Sequence, residues 1–230
     1  MVFHNLTGYD SHLLIKEIAT NINLEGRITV IPENKERYIS FSKYIKGSDI
    51  HLRFIDSFRF LPSSLDNLSS YLDNNPIVLH EFLKNGYTLE QIQLLKRKGV
   101  YPYDFTSSFE SLKVTQLPNK EQFYNRLGGE NINDEDYIHA QQVWDTFKIK
   151  DLGQYCDLYL KTDVLLLTDV FEDFRNNCMD VYNLDPAHYF TTPGFTWDAM
   201  LKFTNVRLEL LTDIDMLLFI EKGSILFEYI

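Results

Sequence analysis

Cysteine is scarce in this chain. The only two, Cys156 and Cys178, stand 22 positions apart in what reads as one helix, too far along its axis to bridge. That excludes a disulfide-built fold and fits a reducing compartment. The six histidines, His4, His12, His51, His80, His139 and His188, have no ligand spacing, so a zinc site is not expected. There is no signal-peptide pattern and no run of 18 apolar residues, so the expectation is a soluble, intracellular protein without a membrane partner. Repeats and low-complexity segments are absent too. Basic residues are few, with 22 Lys and Arg against 33 Asp and Glu for a net charge of -11. Such a balance excludes binding nucleic acid by bulk electrostatics.

What is present argues for a large core. The chain has 230 residues, of which 44% are hydrophobic and 14% aromatic, enough for one large domain or one domain and the start of another. The negative charge is local: residues 128–185 hold 13 acids and 4 bases, a balance of -9, whereas the first 64 residues hold 8 bases and 7 acids. Any nucleic-acid contact is therefore expected in a groove of the amino-terminal part.

The longest helix is expected from about 151 to 177, with Leu158, Leu160, Val164 to Leu167, Val170, Phe171 and Phe174 too widely spread for one exposed face. On it, Tyr159 and Asp163 stand one turn apart on the same side. By spacing alone the pair fits an exposed-edge aspartate above a packed tyrosine. It equally fits half of a metal-dependent phosphodiester site, because a second acidic element, Asn5-Leu6-Thr7-Gly8-Tyr9-Asp10, lies far upstream. Asp10 by itself also reads as a helix N-cap.

In chain order, residues 1–4 read as the last residues of a strand whose beginning is missing, and 11–18 as an amphipathic helix. Runs at 27–31, 37–44 and 50–56 read as three antiparallel strands, the first two joined by a hairpin at 32–36. In the third, Ile50, Leu52 and Phe54 would face one way and His51, Arg53 and Ile55 the other. A helix capped by Ser63 or Ser64 would cover Leu65, Leu68, Tyr71 and Leu72. Thr88 to Lys98 reads as a helix stopped by Gly99, followed by an aromatic loop at Tyr101-Pro102-Tyr103-Asp104-Phe105. After a break at Gly128-Gly129, a helix is expected over 134–147, capped at Asn133 or Asp134. A helix over about 196–203 is the last element expected; the apolar run Ile225-Leu226-Phe227 has no closing element.

Together these elements resemble the 3′-5′ exonuclease domain of the protein-primed family B DNA polymerases of mobile elements and linear plasmids. Asn5 to Asp10 resembles the second exonuclease motif, N-x-x-x-F/Y-D, and Tyr159 to Asp163 the third, Y-x-x-x-D. Between them, Lys98-Gly99-Val100-Tyr101 resembles the K-x-x-hydrophobic motif. Asp56 to Leu61 resembles the S/T-L-x-x-hydrophobic motif, with Phe58 in place of the usual Leu.

The resemblance implies an α/β, ribonuclease H-like exonuclease domain over residues 1–178, then a connection and the start of a polymerase domain over 179–230. Asp10 and Asp163 would be ligands of a magnesium or manganese pair, with their carboxylates within about 8 Å. Tyr159 would orient the attacking water and Lys98 would assist catalysis. Asn5, Tyr9, Ser57 and Phe58 would hold the 3′ end of single-stranded DNA, and a terminal priming protein is an implied partner. Departures set limits on this. The family's first motif, D-x-E, would precede Asn5 and is missing; no polymerase signature is present; and Glu221-Lys222-Gly223-Ser224 stands where a Gly-Gly linker would be expected. The chain is therefore expected to be a piece of a DNA-directed DNA polymerase, inactive as a nuclease on its own. The rival expectations are a stand-alone exonuclease and an inactive remnant that binds DNA or another partner.

Overall fold

A computed structural model of the chain describes residues 1–7, 10–20, 25–72, 81, 86–209 and 211–227, with the side chains of the last helix to residue 222. Its sheet has four strands: β1 (Val2–Phe3), β2 (Ile28–Pro32), β3 (Tyr38–Tyr44) and β4 (His51–Asp56), in the order β1-β4-β3-β2. The expected antiparallel meander is there, with β2 on β3 and β3 on β4. The residues at the amino terminus add a fourth strand, because Val2 and Phe3 pair in parallel with Ile55 and Asp56. This parallel pairing joins residues more than fifty positions apart, and no local pattern encodes it.

Alternation along β4 divides the core. Phe54 stacks on Phe41 at 4.3 Å and joins Leu6, Leu14, Ile15 and Ile18, so helix α1 (Asp10–Thr20) covers that face. Ile55 points the other way, into a cluster with Phe60, Phe171, Cys178, Phe195 and Ala199. Arg53 extends over the Phe190 ring, 4.2 Å from its centroid. A mixed α/β architecture with helices on both faces of a small sheet follows directly from the period of two. Ile50, expected on the apolar face, lies just before β4 and is exposed.

The remaining helices are α2 (Leu65–Ser70), α3 (Leu89–Leu94), α4 (Asp134–Thr146), α5 (Leu152–Tyr182), α6 (Thr192–Thr204) and α7 (Ile214–Phe227). Helix α5 is the spine. Its first turns pack with Phe123, Ala140 and Val143, its middle with Leu65 through Leu166 and Val170, and its end with the sheet through Phe171 and Cys178. It starts at an Asp151 cap and runs five residues past the expected end, stopping at Asn183 in a left-handed conformation (φ 51°), which asparagine tolerates.

Two shorter helices correct the sequence reading. Helix α2 is capped by Ser64 but ends at Ser70, which leaves Tyr71 83% exposed instead of on the packed face. Helix α3 opens with a Thr88/Gln91 capping box and stops at Leu94, so Lys96-Arg97-Lys98 lies beyond it. Burial of Ile92 and Leu95 and the approach of the following segment to α5 outweigh the helix propensity of those three cations. Helix α6 begins four residues earlier than expected, with a proline in its first turn, where proline is favoured. Helix α7 lies beyond the last element expected from sequence.

Candidate functional site

The end of β1 and the end of β4 meet at a buried carboxylate. Asp56, 1% exposed, accepts hydrogen bonds from the Asn5 amide (2.8 Å), the Thr7 amide (3.1 Å), the Thr7 hydroxyl (2.7 Å) and the Phe58 amide (3.0 Å). Four donors compensate the burial of this carboxylate. They also fix the turn that begins at Asn5, whose φ of 64° is left-handed. Asp56 heads the Ser57-Phe58 motif, and its role is not among those the motif implies. A lone acid between an apolar strand and a serine was the available signal.

This corner forms one wall of a cleft of about 820 Å³ against α5. The cleft is lined by His4, Asn5, Phe58, Lys98 and Asp163, with apolar floor residues such as Leu65, Leu167 and Phe171. Four candidate residues from four separate stretches of sequence thus share one concavity. Phe58 is 37% exposed. Ser57 is fully buried, and its hydroxyl donates to the Phe3 carbonyl at 2.8 Å; it supports the corner instead of lining the cleft. Asp10 heads α1, is exposed, and is not among the lining residues. Tyr9 lies outside the described residues.

Asp163 is half-buried, and its Oδ1 has no hydrogen-bond partner among the described residues. Burial raises the carboxyl above its usual range, while the nearby Lys98 ammonium and the Tyr159 hydroxyl pull it down. An orphaned oxygen of this kind suits a cation. However, no group of three or more His, Cys, Asp or Glu side chains positioned to hold a metal exists among the described residues. The donors at hand do not fit a two-ion site.

Tyr159 does not line the first cleft. It is 7% exposed and borders an adjoining one of about 530 Å³, which shares Lys98 and includes Arg97, Gly99, Tyr103 and Asn131. Its ring stacks on Tyr101 (5.2 Å, 27°), and its hydroxyl lies 2.7 Å from that of Tyr103. Burial, then the Tyr103 contact, raise the Tyr159 phenol well above its ordinary value. Gly99 passes against the ring so closely that a Cβ there would sit 3.2 Å from Tyr159 Cδ2. Gly99 is thus a close-approach glycine, and not the helix stop expected from sequence. The 98–103 segment wraps Tyr159 and delivers Lys98 to the junction of the two clefts.

Comparison with known proteins gives the ancestry. The profile of the family described as DNA polymerase type B, organellar and viral, matches residues 1–218. A probable DNA polymerase of Ascobolus immersus is 24% identical over 202 residues, covering 84% of this chain and 14% of the relative. The chain thus spans about a seventh of that relative's length. No solved structure matches. Since the family match covers nearly the whole chain and includes every element that builds the two clefts, the chain belongs to the organellar and viral type B DNA polymerases.

Proposed function

We propose that this chain is the exonuclease-like part of a DNA-directed DNA polymerase of family B, and that its first cleft receives the unpaired 3′ end of single-stranded DNA. The observation that carries the reading is the convergence of Asn5, Phe58, Lys98 and Asp163 on one cleft from distant parts of the chain. Phe58 offers a partly exposed ring on which any base can stack, the sequence-tolerant contact a proofreading site requires. Lys98 supplies a cation for a phosphate, and Asn5 offers an amide able to donate and accept. In this reading the domain is ribonuclease H-like over residues 1–178, residues 179–230 lead toward a polymerase domain, and the parent enzyme is protein-primed.

Magnesium or manganese would supply Lewis-acid chemistry to such a site, with Asp163 as one ligand. The described residues do not complete the ligand set, so binding, not cleavage, is the activity assigned to these 230 residues. Fluorescence anisotropy with an end-labelled single strand at low salt tests it. Phe58→Ala weakens binding about 5- to 100-fold, the value of one stacked base, and duplex of the same length binds less tightly. Equal affinity for duplex, unchanged by Phe58→Ala, sinks the proposal.

A further inference from the structure

His139, on α4, is buried, and its Nε2 lies 2.9 Å from the carbonyl oxygen of Leu94, the last residue of α3. A carbonyl only accepts, so Nε2 carries the proton and donates it. In a helix that ran on, the same carbonyl would accept from the amide four residues later, that of Lys98. Helix α3 instead tightens and ends: the Leu95 amide turns back to the Ile92 carbonyl at 3.1 Å and the Lys96 amide to that of Gln93 at 3.4 Å. One turn before His139 on α4, Asp136 pairs with Arg97. Asp136 is itself held by Asn133, whose Nδ2 donates to it at 2.9 Å and whose Oδ1 accepts from its amide at 2.7 Å. Helix α4 therefore grips the chain at Leu94 and again at Arg97, the residue before Lys98.

Resting on the reading of Lys98 as a phosphate contact, we propose that His139 is a positioning residue: by holding the Leu94 carbonyl it ends α3 and turns Lys98 out to the junction of the two clefts, both of which that lysine lines. The imidazole satisfies a carbonyl that the end of a helix leaves without its backbone partner. The Arg97–Asp136 pair fixes the neighbouring cation to α4. A histidine that merely stabilised the fold would alter unfolding, without moving the path of residues 95–98 or the salt dependence of binding.

Two readouts on the full chain decide. The first is the set of Cα chemical shifts of residues 95–98, measured in the free protein by NMR. The second is the slope of log affinity for the labelled single strand against log salt. His139→Ala moves the shifts toward helical values, reduces the size of the slope by about 0.7 and weakens binding about 3- to 10-fold at low salt, the loss of one phosphate contact; shifts along α5 stay where they were. His139→Gln, whose amide nitrogen falls where Nε2 was, keeps the shifts and the slope, with affinity within about 2-fold. His139→Asn does not reach Leu94 and behaves as His139→Ala. These two amides differ by one methylene, so their comparison decides even where His139→Ala fails to fold. In a Lys98→Ala background, a change at His139 reduces the slope no further, because the two residues act through one contact. Unchanged shifts at 95–98 in the Ala and Asn variants, a second reduction of slope in the double variant, or failure of Gln to rescue would each overturn the proposal. If the unaltered protein binds no single strand, the strand-end reading fails, and the shifts still decide whether His139 directs Lys98.

Discussion

Gly99 shows how one missing methyl group sets a site. The Tyr159 ring is held between Tyr101 and the Gly99 backbone, and packed interiors yield little to an added atom. Gly99→Ala forces the ring aside and is expected to destabilise the protein by about 1–3 kcal/mol. The Tyr103–Tyr159 hydroxyl contact is lost with it; urea unfolding and tyrosine ultraviolet spectra report both. Asp163 makes the opposite case. A carboxyl whose range is raised by burial favours its neutral form in the folded state, so its ionisation weakens folding as pH climbs above the ordinary carboxylate range. Asp163→Asn is therefore expected to raise the melting temperature at pH 7, by on the order of 2 °C after allowance for solvent screening, with little change near pH 3. Calorimetry in the presence of a chelator checks the sign, and a lower melting temperature at pH 7 would contradict it.

Among the elements, α5 organises the rest, and its carboxyl end is tied to the turn that follows. Asp185 accepts two bonds from Arg175, at 2.9 and 2.5 Å, and a third from the Ala187 amide at 2.9 Å. Arg175 holds the Asp185 carboxyl below its usual range, so this contribution is full above the unfolded carboxylate value and fades as pH falls through the folded one. Asp185→Ala should cost about 1–2 kcal/mol at pH 7 for partly exposed, charge-assisted bonds. The difference from the unaltered protein should narrow steadily below about pH 4, as urea unfolding at several pH values will show. Exposed α7 contrasts with α5. Ile214, Met216, Leu217, Leu218 and Phe219 are all at least 46% exposed and are distributed around the helix, the pattern of a helix made to be surrounded.

At the scale of the molecule, net charge opposes DNA, and the two clefts contain few cations. The acids of residues 128–185 are partly neutralised: Asp134 by Lys120, Asp136 by Arg97, and Glu172 and Asp185 by Arg175. Lys98 stands at the junction of both clefts. Binding of a single strand should thus displace few ions, with a slope of log affinity against log salt of about -1 to -2, and Lys98→Ala should reduce its size by about 0.7. Anisotropy titrations between low and moderate salt measure this. A slope left unchanged by Lys98→Ala would remove that residue from the phosphate path.

Local pattern alone determined the period-two strands, the helix starts near Thr88 and Asp151, caps at Ser63 or Ser64 and at Asn133 or Asp134, of which the structure uses Ser64 and Asn133, and the helix that places Tyr159 one turn from Asp163. Each depends on residues within about one turn or one hairpin of each other, and such signals survive in a linear string. The motif residues were likewise readable as types at set spacings. Only the tertiary structure decided where they meet. The parallel pairing of β1 with β4, the Asn5 and Thr7 donors gathered on Asp56, the bond of Ser57 to Phe3 and the Tyr103–Tyr159 contact that holds Tyr159 beside the second cleft all join segments about fifty positions apart. Such contacts are fixed by which surfaces pack, and the free energy that selects them is shared over the whole core. The same competition shortened α3, where burying Leu95 and bringing Gly99 against Tyr159 outweighed the helix-forming tendency of Lys96-Arg97-Lys98.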